Sequence, residues 1–212
     1  MFRYLASQTK TNICCHVDHG YTLDECYEGI DSGFTSVMFD GSKLTLKENI
    51  KISKKIASRA HKHNISVEGE IGFVGYDNGK ISEGTNIEDA VSFANKSNID
   101  AMAISVGNTH LQTSKKASID FKKINLIEAK TKIPLVLHGS SGIPIEQRKK
   151  LARKTKVAKL NIGTEIRMTF GEALRKNLKN NPKTYDRLQL LKPTIKDLTK
   201  ITKKIIKQIG PN

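Results

Sequence analysis

The chain has 212 residues, 37% of them hydrophobic and 27% charged, proportions that fit a soluble globular protein and not a disordered one. No run reaches the roughly 18 consecutive apolar residues of a membrane helix, and Met1–Lys10 lacks the apolar core of a secretory signal, so a cytoplasmic protein with no membrane partner is expected. The net charge of +15 invites a nucleic-acid reading, but it is confined to one end: residues 1–147 carry 17 basic and 17 acidic side chains, residues 148–212 carry 19 and 4. That basic end has few aromatics and no helix-turn-helix, zinc-finger or RNA-binding signature, which argues against a nucleic-acid function. Cys14, Cys15 and Cys26 are odd in number and two are adjacent, so neither a disulfide framework nor a structural zinc spacing is read from them.

In chain order, short apolar runs alternate with segments of helical period. The predicted strands are Asn12–Val17, Thr35–Phe39, Ser66–Ile71, Ala101–Val106, Pro134–Leu137 and Val157–Ile162. Helices are predicted over Leu23–Asp31, Ile50–His63, Ile87–Ser97, Phe121–Lys130 and Ile145–Lys154. Basic helices follow over 167–209, where Ile195, Leu198, Ile201, Ile205 and Ile209 form one apolar stripe. Most of the strand runs are continuously apolar, as in a parallel sheet buried on both faces. An open doubly wound sheet would announce a Gly-rich phosphate turn after its first strand, and the chain has neither G-x-G-x-x-G nor a Walker pattern. Reactive side chains stand instead at the ends of many strands, the arrangement of a TIM (β/α) barrel. Only six strands are legible, so the expected fold is an incomplete α/β barrel forming one domain over residues 1–212.

Six histidines sharpen the functional reading. His61 and His63 end a predicted helix, where basic groups complement its dipole. His16 and His19 lie at the end of the first strand, His110 follows the fourth and His138 the fifth. Three converging imidazoles with one open position make a catalytic zinc site. The strand period places His16 and Asp18 on one face, while His19 begins a turn and can swing inward. His19, His110 and His138 are therefore read as ligands, with His16 in support. Glu68 and Glu70 share a strand face and suit either a buried ion pair with Lys159 or a place beside the metal. Lys159, inside an apolar run, also leaves open a Schiff-base mechanism. Gly139–Gly142 reads as a phosphate-gripping turn, or as an ordinary loop before a helix beginning near Pro144.

Six motifs then carry a resemblance. They are Cys15-His16-Val17-Asp18-His19-Gly20, Ser36-Val37-Met38-Phe39-Asp40-Gly41-Ser42, Val67-Glu68-Gly69-Glu70-Ile71-Gly72, Ile104-Ser105-Val106-Gly107-Asn108-Thr109-His110, Pro134 through Ile143 with its Leu137-His138-Gly139, and Lys159-Leu160-Asn161-Ile162-Gly163-Thr164-Glu165. In this order they resemble the class II, metal-dependent aldolases of fructose or tagatose 1,6-bisphosphate. The resemblance implies a lyase of carbohydrate metabolism, such as glycolysis, that forms dihydroxyacetone phosphate and glyceraldehyde 3-phosphate. It implies one Zn2+ per chain on His19, His110 and His138, with Asp18 as the acid/base. It implies substrate binding by Gly139, Ser140, Ser141, Asn161, Gly163 and Thr164, and Glu70 or His16 as an alternate or supporting metal contact. A homodimer or larger homo-oligomer is expected.

Three departures from the pattern qualify the reading. The family's pattern has about two further βα units, on the order of 60 residues, ahead of the His-x-Asp-His strand, and Met1–Gln8 reads as the tail of a preceding helix. Leu111 stands where a glycine normally follows the metal histidine, which bears on phosphate and monovalent-cation binding there. The segment Phe73–Thr85 is short for a loop that often carries a second acid/base, with Asp77 and Glu83 as candidates. The alternative is thus a catalytically weak or inactive protein that still binds metal or sugar phosphate.

Overall fold

The computed structural model describes residues 2–77, 79 and 82–210. Strands and helices alternate: α1 (Phe2–Ser7), β1 (His16–Gly20), α2 (Leu23–Asp31), β2 (Ser36–Phe39), α3 (Leu46–His61), β3 (Ser66–Ile71), α4 (Ile87–Lys96) and β4 (Ala101–Ile104). Then come α5 (Phe121–Lys130), β5 (Leu135–Leu137), a 3-10 turn (Ser140–Gly142), α6 (Ile145–Lys154) and β6 (Val157–Leu160). The chain continues through α7 (Thr164–Asn180), α8 (Arg187–Leu191) and α9 (Thr194–Ile209). The six strands form one parallel sheet in sequence order, β1 to β6, an incomplete TIM-like α/β fold.

Two expected starts shift by four residues, each for a local reason. The first strand is His16–Gly20 and not Asn12–Val17, because pairing with β2 starts only where His16 faces Ser36. Ile13 has the β propensity but no neighbouring strand to pair with, and stands 54% exposed. Helix α3 opens at Leu46, four residues before Ile50, because Thr45 and Glu48 close a reciprocal capping box. The same device, Thr22 with Glu25, starts α2.

The main core lies between the sheet and the helices, where Ile56, Phe93, Ile104, Ile124, Leu135 and Leu137 are fully buried. On the inner face Met38, Ala103 and Val136 make a second, smaller cluster. These come from β2, β4 and β5, on the concave side of the curled sheet. The curl brings the two outermost strands near one another: Lys159 Nζ on β6 lies 3.2 Å from His16 Nε2 on β1. In α9 the expected stripe is only partly covered, with Ile205 buried and Ile195 60% exposed. No helix among the described residues is long and apolar enough to cross a membrane.

Candidate active site

A β-bulge builds the first part of the site. Between β1 and β2 the register passes from Val17↔Val37 to Gly20↔Phe39, so β1 holds one residue more than its partner. In an unbroken strand His19 would face away from Asp18. The extra residue, with His19 at φ +57°, turns its ring to the side of His138. A left-handed backbone at a β-bonded, non-glycine residue is strained, and such strain gathers at functional sites.

The second part forms where β4 and β5 end. Gly139 has φ +62°, and a Cβ there would collide with the Thr109 carbonyl oxygen and lie 2.9 Å from the His110 nitrogen. Only glycine lets the His138 turn press against the His110 backbone so closely. Asn108, fully buried, adds a clamp: its amide donates to the Ile104 carbonyl at 3.2 Å and to the His138 carbonyl at 3.0 Å.

The three imidazoles His19, His110 and His138 thereby converge, each offering a nitrogen within 4.8 Å of the others. Nitrogens about 2.1 Å from a tetrahedral zinc would stand about 3.4 Å apart, so the set fits such an ion. Carboxylates fix the tautomers. His19 Nδ1 donates to Asp40 Oδ2 at 3.0 Å, and His138 Nε2 donates to Glu68 Oε1 at 2.8 Å. The remaining nitrogens, His19 Nε2 and His138 Nδ1, face each other at 2.9 Å. Two lone pairs so placed favour a proton or a cation between them, and the Asn161 amide reaches His138 Nδ1 at 3.2 Å.

The electrostatics agree. Burial chiefly, with the other two imidazoles, pushes His110 down to about 4, so its ring is neutral and its lone pair available. Burial also disfavours charge on His19, but Asp40, Glu70 and Asp18 outweigh it and raise the pKa. For Asp40 burial is outweighed by His19 and Ser42, which hold the carboxyl low. Burial of Glu68 is likewise overcome, by His138 and Lys159, and its pKa falls to about 2. Glu70 differs: burial first, then Asp40, push it up to about 8. Its Oε2 is buried with no hydrogen-bond partner, 3.9 Å from His19 Nδ1. His19, Asp40 and Glu70 form a second group with metal-ligand spacing.

The other sequence-derived candidates divide. Asp18 and Asn161 meet, the Asn161 amide donating to Asp18 Oδ1 at 3.2 Å. They share with the imidazoles a polar cavity of about 150 Å³ that also receives Gly139, Ser141, Gly163 and Thr164. Asp18 is exposed at its rim. Ser140 is buried beneath the turn, its hydroxyl donating to the Leu137 carbonyl at 2.8 Å. His16 stands apart from both metal-spaced groups: it bonds Ser36 Oγ at 2.9 Å and neighbours Lys159. Lys159 Nζ is held by Glu68 Oε2 at 2.6 Å, which makes it the paired structural lysine and not a free amine.

Of the loop candidates, Asp77 is exposed beside the site, its N–H bonded to the His110 carbonyl at 3.0 Å. Glu83 lines a different cavity, with Asn86 and Asp89. Asn78, Lys80 and Ile81 of that loop lie outside the described residues. Wider grooves exist, of about 740 Å³ between α2 and α3 and about 380 Å³ between α7 and α9, but no imidazole lines either.

Sequence reasoning missed two residues of the cavity wall. Tyr76 stacks on His110 with ring centres 5.1 Å apart, held by a short parallel bridge between the two backbones. Arg167, in the first turns of α7, reaches back to Thr164 Oγ1 at 3.2 Å and brings a cation to the cavity wall. Its place three residues after Thr164 on a helix was the available signal, since i and i+3 share a face.

Comparison with known proteins decides the family. The model of class II fructose-bisphosphate aldolases matches residues 1–212. The chain belongs to the class II fructose-bisphosphate aldolase family. The 6-phospho-5-dehydro-2-deoxy-D-gluconate aldolase of Shouchella clausii is 37% identical over 201 residues, covering 93% of this chain and 68% of that one. A fructose-bisphosphate aldolase of Staphylococcus aureus is 34% identical over 202 residues, covering 93% and 70%. The crystal structure of the YdjI aldolase from Escherichia coli K12 superposes with a TM-score of 0.80 at 27% identity, covering 98% of this chain and 73% of that one. The chain is thus a lyase-type enzyme of a metal-dependent family.

One departure within this aldolase now has a measurable consequence. Leu111, 53% exposed, occupies φ +59° on the cavity wall. A left-handed leucine costs about 1–2 kcal/mol, partly offset by the greater unfolded-state freedom of glycine. Leu111→Gly should stabilise by about 1 kcal/mol, raising Tm by roughly 2–4 °C in thermal unfolding. A fall in Tm would mean that the side chain packs more than its exposure suggests.

Proposed function

We propose that this aldolase performs a reversible, zinc-dependent aldol cleavage of a phosphorylated keto-sugar. Fructose or tagatose 1,6-bisphosphate, giving dihydroxyacetone phosphate and glyceraldehyde 3-phosphate, is the first substrate class. The name of the Shouchella relative adds 6-phospho-5-dehydro-2-deoxy-D-gluconate as a second. One observation supports the reading above all: three oriented imidazoles, the Asp18 carboxylate and a glycine-containing turn line one small cavity.

The division of labour follows from the geometry. His19, His110 and His138 would hold the divalent ion, with Glu70 near enough for an alternate position. A bound cation supplies Lewis-acid stabilisation of the oxyanion that develops as the carbon–carbon bond breaks. Asp18 takes the proton from the C4 hydroxyl; the C3–C4 electron pair passes to the ketone half, and the proton returns in condensation. Asn161 orients the Asp18 carboxylate through its amide. Gly139, Ser141, Gly163 and Thr164 grip phosphate by backbone N–H and hydroxyl groups at the start of α7, assisted by the Arg167 charge. The reading treats residues 1–212 as one domain in the cytoplasm, with one zinc per chain. A homo-oligomer is part of it, since β1 and β6 are the edges of the sheet and open edges favour a partner; light scattering reads the state directly.

Coupled assays on each of the three sugar phosphates, with zinc, cobalt or chelator, test this. Cleavage of one of them that is lost with chelator and restored by zinc is the expected result. Leu111 favours a second reading, a metal and sugar-phosphate binder without turnover, because its side chain occupies the cavity wall. Calorimetric binding with no cleavage of any of the three would establish that one, and measurable turnover eliminates it.

A further inference from the structure

Arg148 is fully buried, and nothing in the proposed chemistry uses it. It lies one turn into α6, whose side chains lean toward the helix N-terminus and so toward the preceding turn. Its Nε donates to the Ser140 carbonyl at 2.9 Å and its Nη2 to the Ser141 carbonyl at 2.8 Å. Nη2 also pairs with Glu165 Oε2 at 2.6 Å. Lys115, from the loop after β4, repeats the pattern with 2.8 Å to the Ser141 carbonyl and 2.7 Å to Glu165 Oε2. Glu165 closes the set, its N–H donating to Ser141 Oγ at 3.2 Å.

Stability alone does not account for this arrangement. Burying a guanidinium is expensive, an aliphatic side chain of similar volume often serves a core as well or better, and Nη1 has no hydrogen-bond partner among the described residues. What the cations do is point the turn. In a trans peptide the carbonyl and the following N–H point in opposite directions, and the described chain has no cis bond. Anchoring the Ser140 carbonyl from behind therefore sets the direction of the Ser141 N–H, and anchoring the Ser141 carbonyl sets that of Gly142. The Gly142 N–H is only loosely engaged, 3.3 Å from the Gly139 carbonyl. The Ser141 hydroxyl, already accepting from Glu165, keeps its own proton to donate. Ser141 lines the candidate cavity.

We infer that Arg148, seconded by Lys115, is a positioning residue that presents the Ser141 and Gly142 donors to the phosphate of the substrate. This rests on the phosphate-turn reading above. The test is a titration of the isotope-labelled full chain with inorganic phosphate in moderate salt, following the Ser141 and Gly142 amide resonances. The parent chain should show saturable shifts at both. Losing the charge-assisted bonds of the guanidinium in Arg148→Met should weaken phosphate about tenfold, Lys115→Met should weaken it about threefold, and Arg148→Lys should recover part of the loss. Zinc affinity on the same samples should stay within about twofold, because the imidazoles are untouched; a merely structural Arg148 would degrade both together. Lys115 is on the surface, so its variant decides the matter should Arg148→Met fail to fold. Unchanged phosphate affinity in the variants would overturn the inference and leave the phosphate turn standing. Absence of shifts in the parent would remove the phosphate turn itself, and the inference with it.

Discussion

His138→Ala should lose most of its affinity for zinc. If the roughly 10–16 kcal/mol of a structural-type zinc site divides over four ligands, one imidazole is worth about 10²–10³ in affinity, and that is the expected loss in a competition titration with a metal indicator. Aldol cleavage should vanish with it at micromolar metal. Asp40→Ala, which frees His19 to rotate and change tautomer, should weaken zinc by about 10–100-fold. His16→Ala should leave it unchanged, since His16 bonds Ser36 and Lys159 and belongs to neither metal-spaced group.

The same titration has a predictable pH dependence. His110, held at about 4, stays neutral across the usual range and adds no slope. His19 has a raised pKa, so a proton competes with the metal there first. Zinc affinity should be flat well above the His19 pKa and fall about tenfold per pH unit below it. Unaltered zinc binding by His138→Ala would refute the metal centre.

Asp18→Ala is the second large effect. A positioned carboxylate that carries a proton in the transition state contributes about 10²–10⁴ to the rate, so kcat should fall by that factor while zinc and phosphate affinity hold. Asn161→Ala should lose less, since it removes the 3.2 Å amide contact that orients Asp18 and a 3.2 Å contact to His138 Nδ1 but leaves the carboxylate in place. The exposure of Asp18 at the cavity rim makes its environment sensitive to what covers the outer side of β1, so kcat should be measured at several chain concentrations. Full turnover by Asp18→Ala would reject the acid/base role and shift attention to Asp77, the exposed carboxylate beside His110.

Much of this molecule is legible in its amino-acid order. Continuous apolar runs such as Val37–Phe39 and Ala101–Ile104 read as strands buried on both faces, and the Thr22/Glu25 and Thr45/Glu48 boxes mark helix starts that local hydrogen bonding enforces. The kinds of ligand and the glycines of the phosphate turn are equally visible, because their chemistry needs those residue types. The polypeptide by itself thus determined the alternating α/β fold and the inventory of the site.

Tertiary structure alone decided how that inventory is aimed. Which nitrogen of His19 is free depends on Asp40, 21 residues away, and it then meets His138 at a separation of 119 residues. That meeting needs the one-residue bulge in β1, which shows only once β2 supplies a register. Arg148 and Glu165, on helices, and Lys115, in the loop after β4, look like ordinary surface charges, and only packing reveals that they converge behind Ser141. The physical reason is common to all three: periodicity and propensity record what a residue does to its own few neighbours, whereas tautomers, register and buried charge are fixed by partners brought close by the curl of the sheet.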